Sequence, residues 1–286
     1  HGRRHHRGLR QAAPDHRGSR EGRGARLPVR EPVEHGLRGP RLGPTSREAE
    51  DNLLHLDRTL ADLLAHVDRE VGLEHTLVVL SADHGGGQVP ELNVHHDFDA
   101  GRHDTTAWLE SLDAHLATEL GTPGLVAAFY APYIYLDEAK VAGAGLDMEH
   151  VQDVVAARVR ATEGFHDAVP RHGLVEGDLR PTPLHASIAA NFHPGRSGHV
   201  HVVPDQHWFL YQDPWAGLIA QVHGSPWTYD TYVPVVFAGH GLRPRQVARR
   251  VGPHDIAPTI TNWLGLKPPS GAVGQPLPEV VEAVPR

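Results

Sequence analysis

The stretch Thr76-Leu-Val-Val-Leu-Ser-Ala-Asp-His-Gly-Gly-Gly-Gln-Val-Pro-Glu91 runs from an apolar segment directly into an acid, an imidazole and three glycines. Leu77 to Ser81 carry too little polarity for an exposed edge, which predicts a buried parallel strand whose C-terminal end presents Asp83 and His84. Open α/β sheets place their chemistry at such ends. Neighbouring side chains on a strand face opposite ways, so Asp83 and His84 converge on one ion only if the backbone turns, and Gly85, Gly86 and Gly87 permit the turn. A carboxylate oxygen beside an imidazole nitrogen suits zinc or a similar borderline divalent metal. Taken alone, the pair has a competing reading as a hydrogen-bonded turn.

Two further blocks lie downstream. One is His223-Gly-Ser-Pro-Trp-Thr-Tyr-Asp-Thr-Tyr-Val-Pro-Val-Val-Phe-Ala-Gly-His-Gly241; the other is Val251-Gly-Pro-His-Asp-Ile-Ala-Pro-Thr-Ile260, followed by Leu264-Gly-Leu and Pro269-Ser-Gly. With Ser81-Ala-Asp-His-Gly-Gly-Gly-Gln-Val-Pro-Glu91 they resemble, in order, the alkaline phosphatase superfamily in its type I phosphodiesterase and phosphate-irrepressible alkaline phosphatase branch. The resemblance covers most of residues 42 to 283. It implies a three-layer α/β/α sandwich of alkaline phosphatase type, N-terminally incomplete, with a small antiparallel hairpin near the site. It also implies hydrolysis of small phosphate esters through a covalent phosphothreonine or phosphoserine, with two divalent ions, zinc above all, about 4 Å apart. Asp83 and His84 are then assigned to the ion that activates the nucleophile and His223 to the other. The parent family is often exported.

The same resemblance implies parts that this chain does not match: the Thr or Ser nucleophile, an early Asp ligand, and the Asp and His of an Asp-Tyr-Val-Gly-His block. Nothing places Thr45 or Thr76 beside His84 as a substitute nucleophile. Three donors shared by two ions fall short of the four in a structural zinc site. The sequence therefore predicts a fragment inactive as translated, with a noncatalytic metal-binding or interaction module as the alternative. A sulfatase-like hydrolase is disfavoured, because no Cys/Ser-x-Pro-x-Arg motif occurs. Monoester and diester specificity are not separable from these residues.

Composition sets the outer bounds. The 286 residues, 40% hydrophobic and 22% charged, suffice for one substantial α/β core or two small ones. The absence of cysteine excludes disulfides and thiolate sites. No apolar run has the length of a membrane span or a signal-peptide core. Net charge is −8, but residues 1 to 43 hold 11 Arg against 4 acids while the remainder is strongly acidic, which argues against nucleic acid as the main partner. The 24 histidines are mostly scattered. The chain opens on a histidine and its single Met is Met148, so a true N-terminus is expected upstream.

Residues 1 to 41 have no periodicity and no Ile, Phe, Tyr, Trp or Met, and read as a disordered or out-of-frame basic segment ahead of a partial alkaline phosphatase-like domain over 42 to 286. Codons allowed for Glu34 to Arg41, read one base along, can encode Ser-Thr-Asp-Tyr-Val-Gly-His, the block the family places just before Gly43-Pro-Thr-Ser-Arg-Glu48. The nucleotide sequence tests that reading.

Thr45 or Ser46 can cap a helix reaching about Val71, with Asp62 and His66 on its solvated face. Residues 94 to 103 read as a polar loop that includes His95 and His96. Further expectations are a helix over 104 to 120, strands within 124 to 136, helices near 146 to 161 and 183 to 191, and a strand at 165 to 168. Residues 196 to 211 alternate like an antiparallel hairpin, placing His199 and His201 on one face as a possible metal pair. Asp213 to Ala220 reads as a loop, 233 to 238 as a second buried strand, and Asp255 to Trp263 as a helix.

Overall fold

The computed structural model describes residues 43–211 and 219–282. The expectations for residues 1 to 41 and for most of the 213 to 220 loop lie outside the described residues.

Ser46 is extended and its hydroxyl accepts the Ala49 N–H, opening α1 at Arg47–Glu70. A short 3₁₀ turn, Leu73–His75, leads into β1 at Leu77–Ser81. Next come α2 (Pro90–His95) and β2 (Gly101–Asp104). Asp104 caps α3 (Thr105–Leu120), which Gly121 ends in the left-handed region at φ 70°. β3 (Val126–Tyr130) and β4 (Tyr133–Leu136) follow. Asp137 and Asp147 cap α4 (Glu138–Gly143) and α5 (Met148–Arg160). β5 (Phe165–Pro170) and α6 (Arg171–Glu176) precede α7 (Pro183–Asn191), which Thr182 caps with proline in the first turn. The remaining elements are β6 (Val200–Pro204), β7 (Trp208–Tyr211), α8 (Thr228–Thr231), β8 (Val235–Gly239), α9 (Ile256–Trp263) and α10 (Pro278–Val281).

Among the described residues the strands form three small sheets. The largest, ordered β3-β4-β6-β5, is antiparallel throughout. Its central strand β6 is buried along its whole length and divides the core by parity. Val200 and Val202 face a cluster containing Leu112 and Leu116 of α3 and Val155 and Val159 of α5. Val203 faces the other way, against Val169, Leu174 and Ile188 of β5, α6 and α7. Helices thus cover both faces of this sheet. His201 shares the parity of Val203 and lies on the α7 side.

Several expectations need correction. β1 is not a buried parallel strand: it pairs antiparallel with β8, Leu77 opposite Gly239 and Ser81 opposite Val235, in a two-stranded sheet. Both strands are only half-buried, with Leu80 and Val236 exposed, so β8 is not the second buried strand either. The 196 to 211 hairpin does not form, because β7 leaves β6 and pairs in parallel with β2. That partner strand and α2 occupy the stretch read as a polar loop. The described residues hold a mixed α/β fold with small sheets in place of one large layer. None of their helices is long and apolar enough to cross a membrane.

Candidate metal centre

The β1–β8 pairing brings the segment after β1 alongside the one before β8. A single backbone bond fixes the approach: the Gly85 N–H donates to the Asp230 carbonyl at 2.8 Å. A Cβ at Gly85 would collide with the carbonyl oxygen of Tyr229, so glycine is required here for close contact between chain segments. None of Gly85, Gly86 and Gly87 has a positive φ. Their use is therefore proximity, where the sequence suggested a turn.

The same contact brings His84 against His223, with ring centroids 3.5 Å apart and planes 12° from parallel. Asp83 Oδ1 accepts the His84 N–H at 2.9 Å, turning the carboxylate back towards the neighbouring ring. Asp83 Oδ2 then lies 3.4 Å from His84 Nε2. His84 Nδ1 is 2.7 Å from the Gly85 carbonyl oxygen, which only accepts, so Nδ1 carries the proton and Nε2 keeps its lone pair when the ring is neutral.

These distances test whether the residues fit a metal. Two ligands of a tetrahedral zinc with bonds of about 2.0–2.1 Å are separated by roughly 3.3–3.4 Å, close to the Oδ2 to Nε2 spacing. Asp83 and His84 therefore have a spacing suited to one ion, with the histidine oriented through its other nitrogen. His223 does not complete the same sphere. Imidazole lone pairs lie in the ring plane, and two nearly parallel planes 3.5 Å apart do not meet at a nearby point. Among the described residues no three His, Asp or Glu side chains gather around one point.

All three residues line one cavity of about 370 Å³. The cavity also has residues that sequence reading did not assign to the site. Asp230 is buried; its Oδ2 accepts the Ser225 N–H and hydroxyl at 2.8 and 2.6 Å, while its Oδ1 has no partner. That carboxylate ties down the turn that follows His223. His201 reaches the cavity from β6 and is 4% exposed, with its Nδ1 unpartnered. A buried polar group left unpaired costs about 1–3 kcal/mol. Burial pushes the His201 imidazole down to about 4, so the ring is neutral at ordinary pH. Among the described residues lining the cavity there is no Lys or Arg.

The other histidines considered from sequence lie elsewhere. His199 does not pair with His201: its Nδ1 accepts the Leu136 N–H at 2.9 Å and its Nε2 lies 3.2 Å from Glu138. Burial is the main cause that lowers its pKa. His95 and His96 are exposed at the end of α2, and Asp62 and His66 are exposed on α1. Parity along β6 was readable from the sequence, but which of its faces would meet the segment around His223 was not.

Comparison with known proteins places this geometry in context. The family model described as type I phosphodiesterase / nucleotide pyrophosphatase matches residues 36–227, more than half of the chain. The chain is 29% identical over 244 residues to a protein of Myroides odoratus described as a calcium-transporting ATPase, covering 85% of this chain and 44% of that one. It is 29% identical over 243 residues to the alkaline phosphatase PafA of Elizabethkingia meningoseptica, covering 85% and 43%. The crystal structure of wild-type PafA superposes with a TM-score of 0.78 at 28% identity, over 86% of this chain and 46% of that one. The chain spans less than half the length of the curated relatives it matches.

Proposed function

Because the chain belongs to the type I phosphodiesterase / nucleotide pyrophosphatase family, we propose that its cavity is the metal-holding part of a phosphoric ester hydrolase site. Asp83 and His84 hold one divalent ion, zinc in the first instance, and His223 contributes to a second. The observation that carries this reading is the pairing of a zinc-compatible Oδ2 to Nε2 spacing of 3.4 Å with two imidazole planes stacked at 3.5 Å. The first suits a shared ion, and the second suits neighbouring ions.

When bound, such a pair supplies Lewis-acid polarisation of a phosphoryl oxygen and a deprotonated nucleophile at neutral pH. The chain's own residues do the positioning. The Gly85 carbonyl fixes the tautomer of His84, the Gly85 N–H fastens the strand end to Asp230, and Asp230 fastens the turn after His223 through Ser225.

Turnover needs a nucleophile and further donors that we do not assign to any of the 286 residues. Purified chain supplied with zinc is expected to leave 4-nitrophenyl phosphate and bis(4-nitrophenyl) phosphate unhydrolysed. Hydrolysis abolished by Asp83→Ala would contradict the proposed inactivity. The site itself is tested by calorimetric zinc titration of wild type, Asp83→Ala and His223→Ala. Each variant should bind zinc more weakly than wild type, by more than the roughly 10- to 100-fold that removal of an outer-shell partner costs. Identical titrations for all three proteins would remove the basis of the assignment.

A further inference from the structure

We propose that His201, with the side chain of Asn191, forms a subsite for the alcohol half of the ester, selecting an uncharged ring that carries both a hydrogen-bond donor and an acceptor. The inference rests on the phosphoric ester reading above and extends it to the alcohol half of the same substrate.

Four observations support it. The cavity, at about 370 Å³, is of a size that accommodates a small organic ligand and is larger than a phosphoryl group requires. His201 and Asn191 line it together with Pro132 and Ile188, two rigid apolar surfaces suited to the faces of a ring. Ile188 is 2% exposed and held in the apolar cluster beneath α7, so this wall is preformed.

The third observation is the state of His201. It sits in the central strand β6, opposite Tyr133 of β4 and Val169 of β5, and its ring meets Tyr133 edge to face at 5.0 Å. This packing fixes the ring but gives its Nδ1 no hydrogen bond. Nδ1 is closed off from the cavity, so a ligand there meets the imidazole through Nε2 alone, and the Asn191 amide supplies the further donor and acceptor.

The fourth observation concerns charge. Among the described residues lining the cavity no Lys or Arg is present to attract an anion, and the Asp83 and Asp230 carboxylates repel one unless bound cations offset them. The phosphoryl group is therefore assigned to the metal end and the uncharged part of the ester to His201.

The test uses the zinc-loaded chain and three stable probes, methylphosphonate, phenylphosphonate and 4-carbamoylphenylphosphonate, with binding measured by calorimetry. Wild type should bind phenylphosphonate more tightly than methylphosphonate, and the carbamoyl compound about 5- to 10-fold more tightly again. His201→Leu should abolish the carbamoyl advantage while leaving zinc affinity and the phenyl preference intact, and His201→Gln should restore part of it. Asn191→Ala, at an exposed position, gives a second reading that does not disturb the core. An undiminished carbamoyl advantage in both His201→Leu and Asn191→Ala would overturn the subsite. Loss of zinc affinity in His201→Leu would also overturn it, since His201 would then be a metal ligand. Failure of the metal reading is distinguishable: without zinc, 4-hydroxybenzamide should still perturb the His201 ring resonances, and no perturbation would count against the subsite alone.

Discussion

At the residue scale, one imidazole gives the sharpest prediction. Burial holds His201 at about 4, against 6.5 for a free histidine. The unfolded chain therefore takes up a proton at this residue as pH falls through 6.5, while the folded chain does not until about 4. Stability from the neutral ring is complete above 6.5 and is lost progressively down to about 4, on the order of 3 kcal/mol in total. Urea denaturation at stepped pH should show His201→Gln losing less stability than wild type across that window, and parallel profiles would contradict the assignment. His103, His185 and His199 are shifted the same way with burial as the main cause, so the comparison with the variant isolates one residue. Asp83, His84 and His223 stand out as candidates because their residue types and flanking glycines and proline carry a pattern in one dimension, and the structure brings all three to one cavity. Asp230 does not stand out, and His201 does so only as half of a possible metal pair with His199, since their places depend on which faces of distant segments meet. The reason for glycine at position 85 was also hidden, because it lies in a carbonyl 144 positions further along the chain.

At the element scale, local signals gave the helices well and the strand partners poorly. Ser46 as cap and the extent of α1, the span Thr105–Leu120 and the span Pro183–Asn191 follow from capping residues and apolar spacing. Alternation in Val200–Pro204 and Trp208–Tyr211 identifies two strands but carries no information about their neighbours. His207, at φ 69°, turns the chain between them, and β7 then runs beside β2, where Trp208 packs over Gly101. A side chain at Gly101 would occupy the space of that indole. Burial separates the helices energetically. Leu112 of α3 is 1% exposed, so Leu112→Ala should cost about 2–5 kcal/mol. Leu53 of α1 is 64% exposed, and Leu53→Ala should stay within about 0.5 kcal/mol. Chemical denaturation of the two variants checks the contrast, and similar losses would mean that α1 is packed.

At the scale of the whole molecule, apolar surface is left open on α1 and on the two-stranded sheet. No side chain of α1 is buried; Leu53, Leu54 and Leu63 are exposed on it, as are Leu80 on β1 and Val236 on β8. Exposed apolar surface of this kind drives association. Sedimentation velocity should show concentration-dependent association of the 286-residue chain, reduced in a Leu53→Lys/Leu63→Lys variant, while a monomer at all concentrations would contradict this. The four-stranded sheet contributes His201 to the cavity, and Asp83 and His84 follow the first strand of the open two-stranded one. The most direct test of the account is diffraction at the zinc edge from crystals of the chain grown with zinc. The account expects anomalous density within bonding distance of Asp83 and His84, with a second peak at His223 roughly 4 Å away. Zinc found only at histidines outside this cavity would contradict it.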